Sequence, residues 1–284
     1  MAGSLEGPVI KLARAESQFY VLQREIDTAW PPEKAWPVRA ERHRGGLEYR
    51  FYLGEMPGIE PSWALMAGEI MFNLRSALDH LVWELHVRHF RGRPIPEKIE
   101  RASQFPIFDS ADDFRRKGHR RIKSLSKSDR GTIRFLQPYR RRNDKWSTTR
   151  HALGDLNALH NIDKHRQLHL VAAAYRVAGA PYVPEREFGF GFDPVFGPVE
   201  SHGHIDTWTF TEPPPHLKQH EGAFLEVVLE QPGYERNLVM LLDGLIGSVS
   251  KVLRRFESHF PPLRDVWRSP GLRNLVMTGN ATSP

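Results

Sequence analysis

Leu74, Leu78, Leu81 and Leu85 recur at spacings of 4, 3 and 4, the period of a single helical face. A stripe of that length must be covered by other parts of the chain. Pro61-Ser62 opens the segment and Gly92 and Pro94 close it, which predicts a helix from about Trp63 to Phe90. A second stripe, Leu238, Leu241, Leu242, Leu245 and Val249, predicts a helix from Glu235 to about Phe260, stopped by Pro261-Pro262. A first helix from Val9 to about Ala29 ends at Pro31-Pro32, and another covers Ser147 to Ile162. Shorter helices are expected from Ala111 to about Lys123, capped by Ser110, and from Ser128 to Leu136.

Strand signals lie between these helices. Residues 38–42 and 48–53 alternate around Gly45-Gly46 and read as a hairpin. Residues 204–211 and 224–230 read as strands, 105–108 as a buried extended piece, and 168–175 fits helix or strand equally. The expected class is α+β: mainly a helical bundle of up-and-down helices packed beside a small antiparallel sheet. No composition break marks a linker. A single α+β domain over residues 8–267 is expected, with flexible tails at 1–7 and 268–284.

Composition narrows the chemistry. None of the 284 residues is a cysteine, which excludes disulfides, thiolate zinc sites, iron–sulfur clusters and cysteine nucleophiles together. No apolar run reaches the roughly 18 residues of a membrane span, and the first residues do not form a secretory signal. A cytoplasmic bacterial protein without a membrane partner is expected. The chain has no P-loop, no G-x-G-x-x-G opening a helix, no G-x-S-x-G and no H-E-x-x-H. No cofactor is expected.

The net charge of +6 is unevenly distributed. Residues 110–150 hold fourteen Lys or Arg against four Asp or Glu, so the rest of the chain is net acidic. An anionic partner is therefore expected at this segment. Arg116, Arg120 and Lys123 fall at i, i+4 and i+7, beside Arg121, and Arg140-Arg141-Arg142 follows. Phe135, Tyr139 and Trp146 are interleaved with these cations, a mixture suited to single-stranded nucleic acid through phosphate neutralisation and base stacking. RNA or another polyanion is the partner this implies.

Two polar clusters sit among core leucines. The first holds Arg75, Asp79 and His80, and the second Asp163, Lys164, His165 and Arg166. Either they serve structure alone, as a surface ion pair and a helix terminus, or they meet in one polar pocket. A weaker metal alternative lies at His202, His204 and Asp206, which would share one face of a strand at period two. His165 and His169, four apart, would share a helix face if the helix continued.

Several motifs carry a resemblance. The order Leu74-Arg75-Ser76-Ala77-Leu78-Asp79-His80-Leu81, Phe105-Pro106-Ile107, Gln137-Pro138-Tyr139 and Asn161-Ile162-Asp163-Lys164-His165-Arg166 resembles that of a group of uncharacterised bacterial proteins. Arg75-x4-His80 is similar to the R-x(4–6)-H motif of HEPN domains, and the same spacing recurs at Arg254-x4-His259. That likeness implies a HEPN-like helical bundle, a homodimer, and metal-independent RNA cleavage in a toxin or defence system. It further implies that His80 activates a 2′-hydroxyl and Arg75 stabilises the charged phosphorane. His165 and Arg166, in the second cluster, are expected to assist if the two clusters meet. The rival readings are a non-catalytic nucleic-acid- or anion-binding regulatory module on the Arg-rich segment, and a metal-dependent enzyme using the His/Asp cluster.

Overall fold

Apolar periodicity produces the helices where it is strongest. A computed structural model describes residues 3–140, 151–178, 199–213, 222–231 and 234–261. Helix α1 spans Glu6–Ala29 and α2 spans Pro61–Phe90. Leu74, Leu78, Leu81 and Leu85 are all fully buried, as the spacing requires. The protein is α+β, with eight α-helical segments and two three-stranded antiparallel sheets among the described residues. It divides into two compact units: unit 1 comprises Met1–Val21, Leu65–Gln167 and Met240–Pro284, and unit 2 comprises Leu22–Ala64 and Leu168–Val239.

In unit 1, α1 and α2 run antiparallel. Gly7 lies against His80 at one end, and at the other Gln18 bonds Glu69 at 2.6 Å and Asn73 at 2.9 Å. The helix begins earlier than its sequence pattern suggests. Leu5 is 2 % exposed and the Ser4 amide donates to Glu84 Oε2, so residues 4–7 are anchored rather than a loose tail. The tail expected at 268–284 lies outside the described residues. Short α3 (Glu97–Ala102) leads into an extended stretch in which Phe105 and Ile107 are buried.

The helix expected over 111–123 is not uniform. Ser110 caps α4 (Ala111–Asp113), a π-turn covers Phe114–Gly118, and α5 (His119–Ile122) follows. The π-turn inserts a residue into the helical phase. It turns Phe114 and Gly118 inward while Arg115, Arg116, Lys117, Arg120 and Lys123 stay exposed. A Cβ at position 118 would lie 2.7 Å from Phe108 Cε2 and 2.9 Å from Phe114 Cδ2. The ring contacts therefore require glycine. Gly118→Ala should cost about 1–3 kcal/mol in overpacking, outweighing the roughly 1 kcal/mol of helix propensity that Ala contributes. The measurement is the urea midpoint, and an unchanged midpoint would mean that the rings yield.

Helix α6 spans Lys127–Phe135, capped by Ser126, and α7 spans Ala152–Asp163, whose expected start at Ser147 lies outside the described residues. Helix α8 covers Leu238–Phe256 and ends in a 3-10 turn, Glu257–His259.

Unit 2 carries both sheets, where one was expected. The hairpin forms between β1 (Val38–His43) and β2 (Glu48–Leu53), and its turn needs positive φ at Gly45 (68°) and Gly46 (100°). Strand β3 (Leu170–Ala178) resolves the ambiguous 168–175 stretch as strand. Strand β4 covers His204–Thr209 and pairs with β2. The second sheet has the order β3, β5 (Gly222–Gln231), β6 (Tyr234–Asn237). Residues 235–237, expected to begin the last helix, are thus strand. Their backbone groups pair with residues 228–230 of β5, and the helix starts one residue after the ladder ends.

Candidate functional site

The first polar cluster is built on the buried extended stretch after α3. A buried backbone outside helix or sheet needs side-chain partners. Arg75 and Asp79, one turn apart on α2, supply them for Phe105. Arg75 Nη2 donates to the Phe105 carbonyl at 2.7 Å, and the Phe105 amide donates to Asp79 Oδ1 at 2.8 Å. The same Arg75 nitrogen lies 3.1 Å from Asp79 Oδ1. Gln137, fully buried after α6, continues the ladder: its Nε2 donates to the carbonyls of Pro106 and Ile133, and its Oε1 accepts from the Phe108 amide. Three motifs far apart in the sequence therefore make one structural knot.

The second cluster also meets α2. Asp163 at the end of α7 sits on Gly68, where a Cβ would come within 2.7 Å of its Cγ. One turn earlier, the His160 ring faces Phe72 with centroids 6.1 Å apart. Burial, with Lys164 and Arg75 nearby, pushes the His160 imidazole down to about 4, so it is neutral at physiological pH. Burial also raises Asp79, against Arg75 and the Phe105 amide, and raises Asp163. Desolvation lowers Arg75 from its usual range.

His80 does not join this group. Five residues of helix turn a side chain about 140°, and His80 is exposed over Gly7 of α1 while Arg75 is buried. The R-x4-H pair expected at Arg75 and His80 therefore does not form one site within a chain. His165 and Arg166 are exposed beyond the end of α7. His165 and His169 share no helix face, and His169 instead pairs with Glu230 at 2.9 Å.

The period-two metal geometry also fails. His202 sits in a turn with φ of 63°, one residue outside the Gly203–His204 junction that opens β4. The Asp206 carboxylate accepts from the Thr207 amide and Trp208 Nε1, and His204 Nε2 is 2.6 Å from Thr207 Oγ1. Among the described residues no three His, Asp or Glu side chains are grouped to hold a metal.

The basic segment keeps most of its cations at the surface. Arg115 and Arg116 pair with Asp112 and Asp113, and Lys117 also reaches Asp113. Arg121 lies over the Phe108 ring and Arg140 over Tyr139. Arg120 and Lys123 are exposed without an ion pair among the described residues. Arg141, Arg142 and Trp146 lie outside those residues.

The third arrangement escaped sequence reasoning. Asp129 in α6 is fully buried, and every oxygen of its carboxylate is engaged. Oδ1 accepts from His259 Nδ1 at 2.9 Å, and Oδ2 accepts from Arg88 Nη2 and from Ser126 Oγ, each at 2.6 Å. Burial opposes its charge, yet the bonds from Ser126 and Arg88 prevail and hold it below the usual carboxylate range. Arg88 Nη1 also donates to the His259 carbonyl at 2.8 Å. The imidazole is thus fixed at Nδ1 by a buried acid and at its backbone by a guanidinium, with its side chain 23 % exposed. Nε2 makes no hydrogen bond among the described residues. The only sequence signal was the second R-x4-H spacing, whose Arg254 does not contribute to this knot.

Helices α6 and α8 run antiparallel here, so Asp129 meets His259 and Phe135 meets Arg255. Phe135 is 59 % exposed, and the Arg255 guanidinium lies 5.4 Å from its ring centroid. Against this geometry, the chain matches no family model, no curated protein and no solved structure.

Proposed function

We propose that unit 1 cleaves single-stranded RNA without a metal, with His259 as the proton-transfer group. The Asp129–His259 contact carries this reading. A carboxylate that accepts from Nδ1–H leaves Nε2 as the basic nitrogen, and it stabilises the imidazolium once a proton is taken. Nε2 takes the proton of a 2′-hydroxyl as O2′ bonds to phosphorus. The P–O5′ bond breaks, and the departing 5′ oxygen takes a proton from water, leaving a 2′,3′-cyclic phosphate. Arg88 is a positioning residue here, since both of its terminal nitrogens are spent on His259 and Asp129.

The neighbouring surface suits the strand. Phe135 lies six residues along α6 from Asp129, about 9 Å at 1.5 Å per residue. An exposed ring beside a guanidinium offers a base a stacking partner, and Arg120 and Lys123, exposed without an ion pair among the described residues, offer phosphates theirs. The test is labelled single-stranded RNA incubated with the full chain in EDTA. Products ending in 2′,3′-cyclic phosphate support the reading, and intact RNA rejects it.

A second reading, non-catalytic binding of single-stranded RNA, is favoured by Phe135 and Arg255 alone. Its signature is salt dependence. Replacing Arg120, Lys123 and Arg140 together with Ala should weaken binding and flatten the slope of log K against log salt by about 2, at roughly 0.7 per lost phosphate contact. Fluorescence anisotropy across a salt series measures it, and an unchanged slope would place the strand elsewhere.

A further inference from the structure

Helix α6 carries a glycine at its centre that no contact among the described residues explains. Gly131 is exposed, and a Cβ built there would meet no atom within 4 Å. Gly118 is glycine because two rings press on it, whereas at position 131 alanine would fit freely and favour the helix. A bare turn on the surface lets another molecule approach the backbone closely. The neighbouring side chains indicate its chemistry. Phe135, one turn on, shares this face and is exposed, with the Arg255 guanidinium 5.4 Å from its ring centroid. Lys127, Ser128 and Arg134 are exposed on the same helix. The only acid of α6, Asp129, is buried and committed to Arg88, Ser126 and His259. Arg255 and His259 lie four residues apart, and both reach α6, one at Phe135 and the other at Asp129.

We propose that this face of α6 is a purine subsite for single-stranded RNA. A base stacks on Phe135 while the sugar–phosphate chain passes close over Gly131, and Lys127, Arg134 and Arg255 neutralise its phosphates. An exposed ring among cations, on a helix that exposes no acid, is complementary to a base and its phosphate. A purine is favoured over a pyrimidine because two fused rings cover more of the phenyl surface. The place of the subsite beside the cleaved bond rests on the ribonuclease reading, while its binding of the strand does not.

The probe is a 2′-O-methyl oligouridine carrying one 2-aminopurine, whose fluorescence is quenched by stacking. It has no free 2′-hydroxyl, so binding by the full chain is read whatever His259 does. The full chain should quench it saturably, and an all-uridine strand should compete about three- to tenfold less well. Phe135→Ala should lose the quenching and bind at least about fivefold more weakly, the low end of one base–aromatic stack. Gly131→Gln is the sharper test. It should raise the melting temperature of the free chain by about 2 °C, since helix propensity improves and nothing is displaced. It should also weaken binding by about tenfold, because the new side chain stands where the strand must lie. A glycine that serves the fold alone would not move binding. Unquenched probe, quenching that survives in Phe135→Ala, or unchanged binding by Gly131→Gln each overturns the proposal. Mapping the cuts in mixed-sequence RNA separates it from the ribonuclease reading. Cuts beside purines that lose this bias in Phe135→Ala support both, and cuts without bias keep the reading but overturn the subsite. Quenching with uncut RNA supports the subsite and rejects the reading.

Discussion

His259→Ala should reduce cleavage of single-stranded RNA by about 10²- to 10⁴-fold, the usual contribution of a positioned general base. Binding of the same RNA, read by anisotropy, should be little changed, because Phe135, Arg255 and the cations between residues 115 and 123 are untouched. The fold should survive too. Asp129 keeps Arg88 and Ser126 as partners when the imidazole is removed. His80→Ala serves as the matched comparison, since His80 is exposed on a face away from Arg75. If His80→Ala abolishes cleavage and His259→Ala does not, the base has been assigned to the wrong histidine. If both variants bind and cleave as the parent chain does, the imidazoles are not involved.

Asp129→Ala should destabilise unit 1 by about 3–5 kcal/mol, because it strands a guanidinium and an imidazole that the buried carboxylate holds. The readout is a lower urea midpoint at unchanged m. Asp112→Ala, which breaks an exposed pair with Arg115, should change stability by less than about 1 kcal/mol. The pH dependence follows from the direction of the shift. The native carboxyl of Asp129 lies below its ordinary range. Its contribution is therefore complete above the unfolded value of about 3.9 and is lost as pH falls through the native value. The gap between parent and Asp129→Ala should be widest near neutrality and close in acid. A gap that persists at low pH would mean that packing, not charge, makes the position important.

The helices were legible because their signal is local. Four leucines at one period commit α2 to a buried face whatever lies against it, and Leu241, Leu242, Leu245 and Val249 do the same for α8. The start of α8 was not legible, since residues 234–237 are strand only because β5 is beside them. The π-turn at Phe114–Gly118 was hidden for the same reason: it answers to the Phe108 ring, a contact no local pattern encodes.

The site divides in the same way. The sequence alone determined that Arg75 and Asp79 share a turn of helix, that the cations concentrate between residues 110 and 150, and that cysteine chemistry is excluded. These follow from spacing and composition. Only the tertiary structure decided that Arg75 and Asp79 satisfy the backbone of Phe105, that His80 faces away, and that His259 is the histidine held by a buried acid. Asp129 and His259 are separated by 130 residues, and their hydrogen bond exists only once α6 and α8 lie antiparallel. Periodicity can place each residue on a face of its own helix, but which two faces meet is set by the packing of the whole unit.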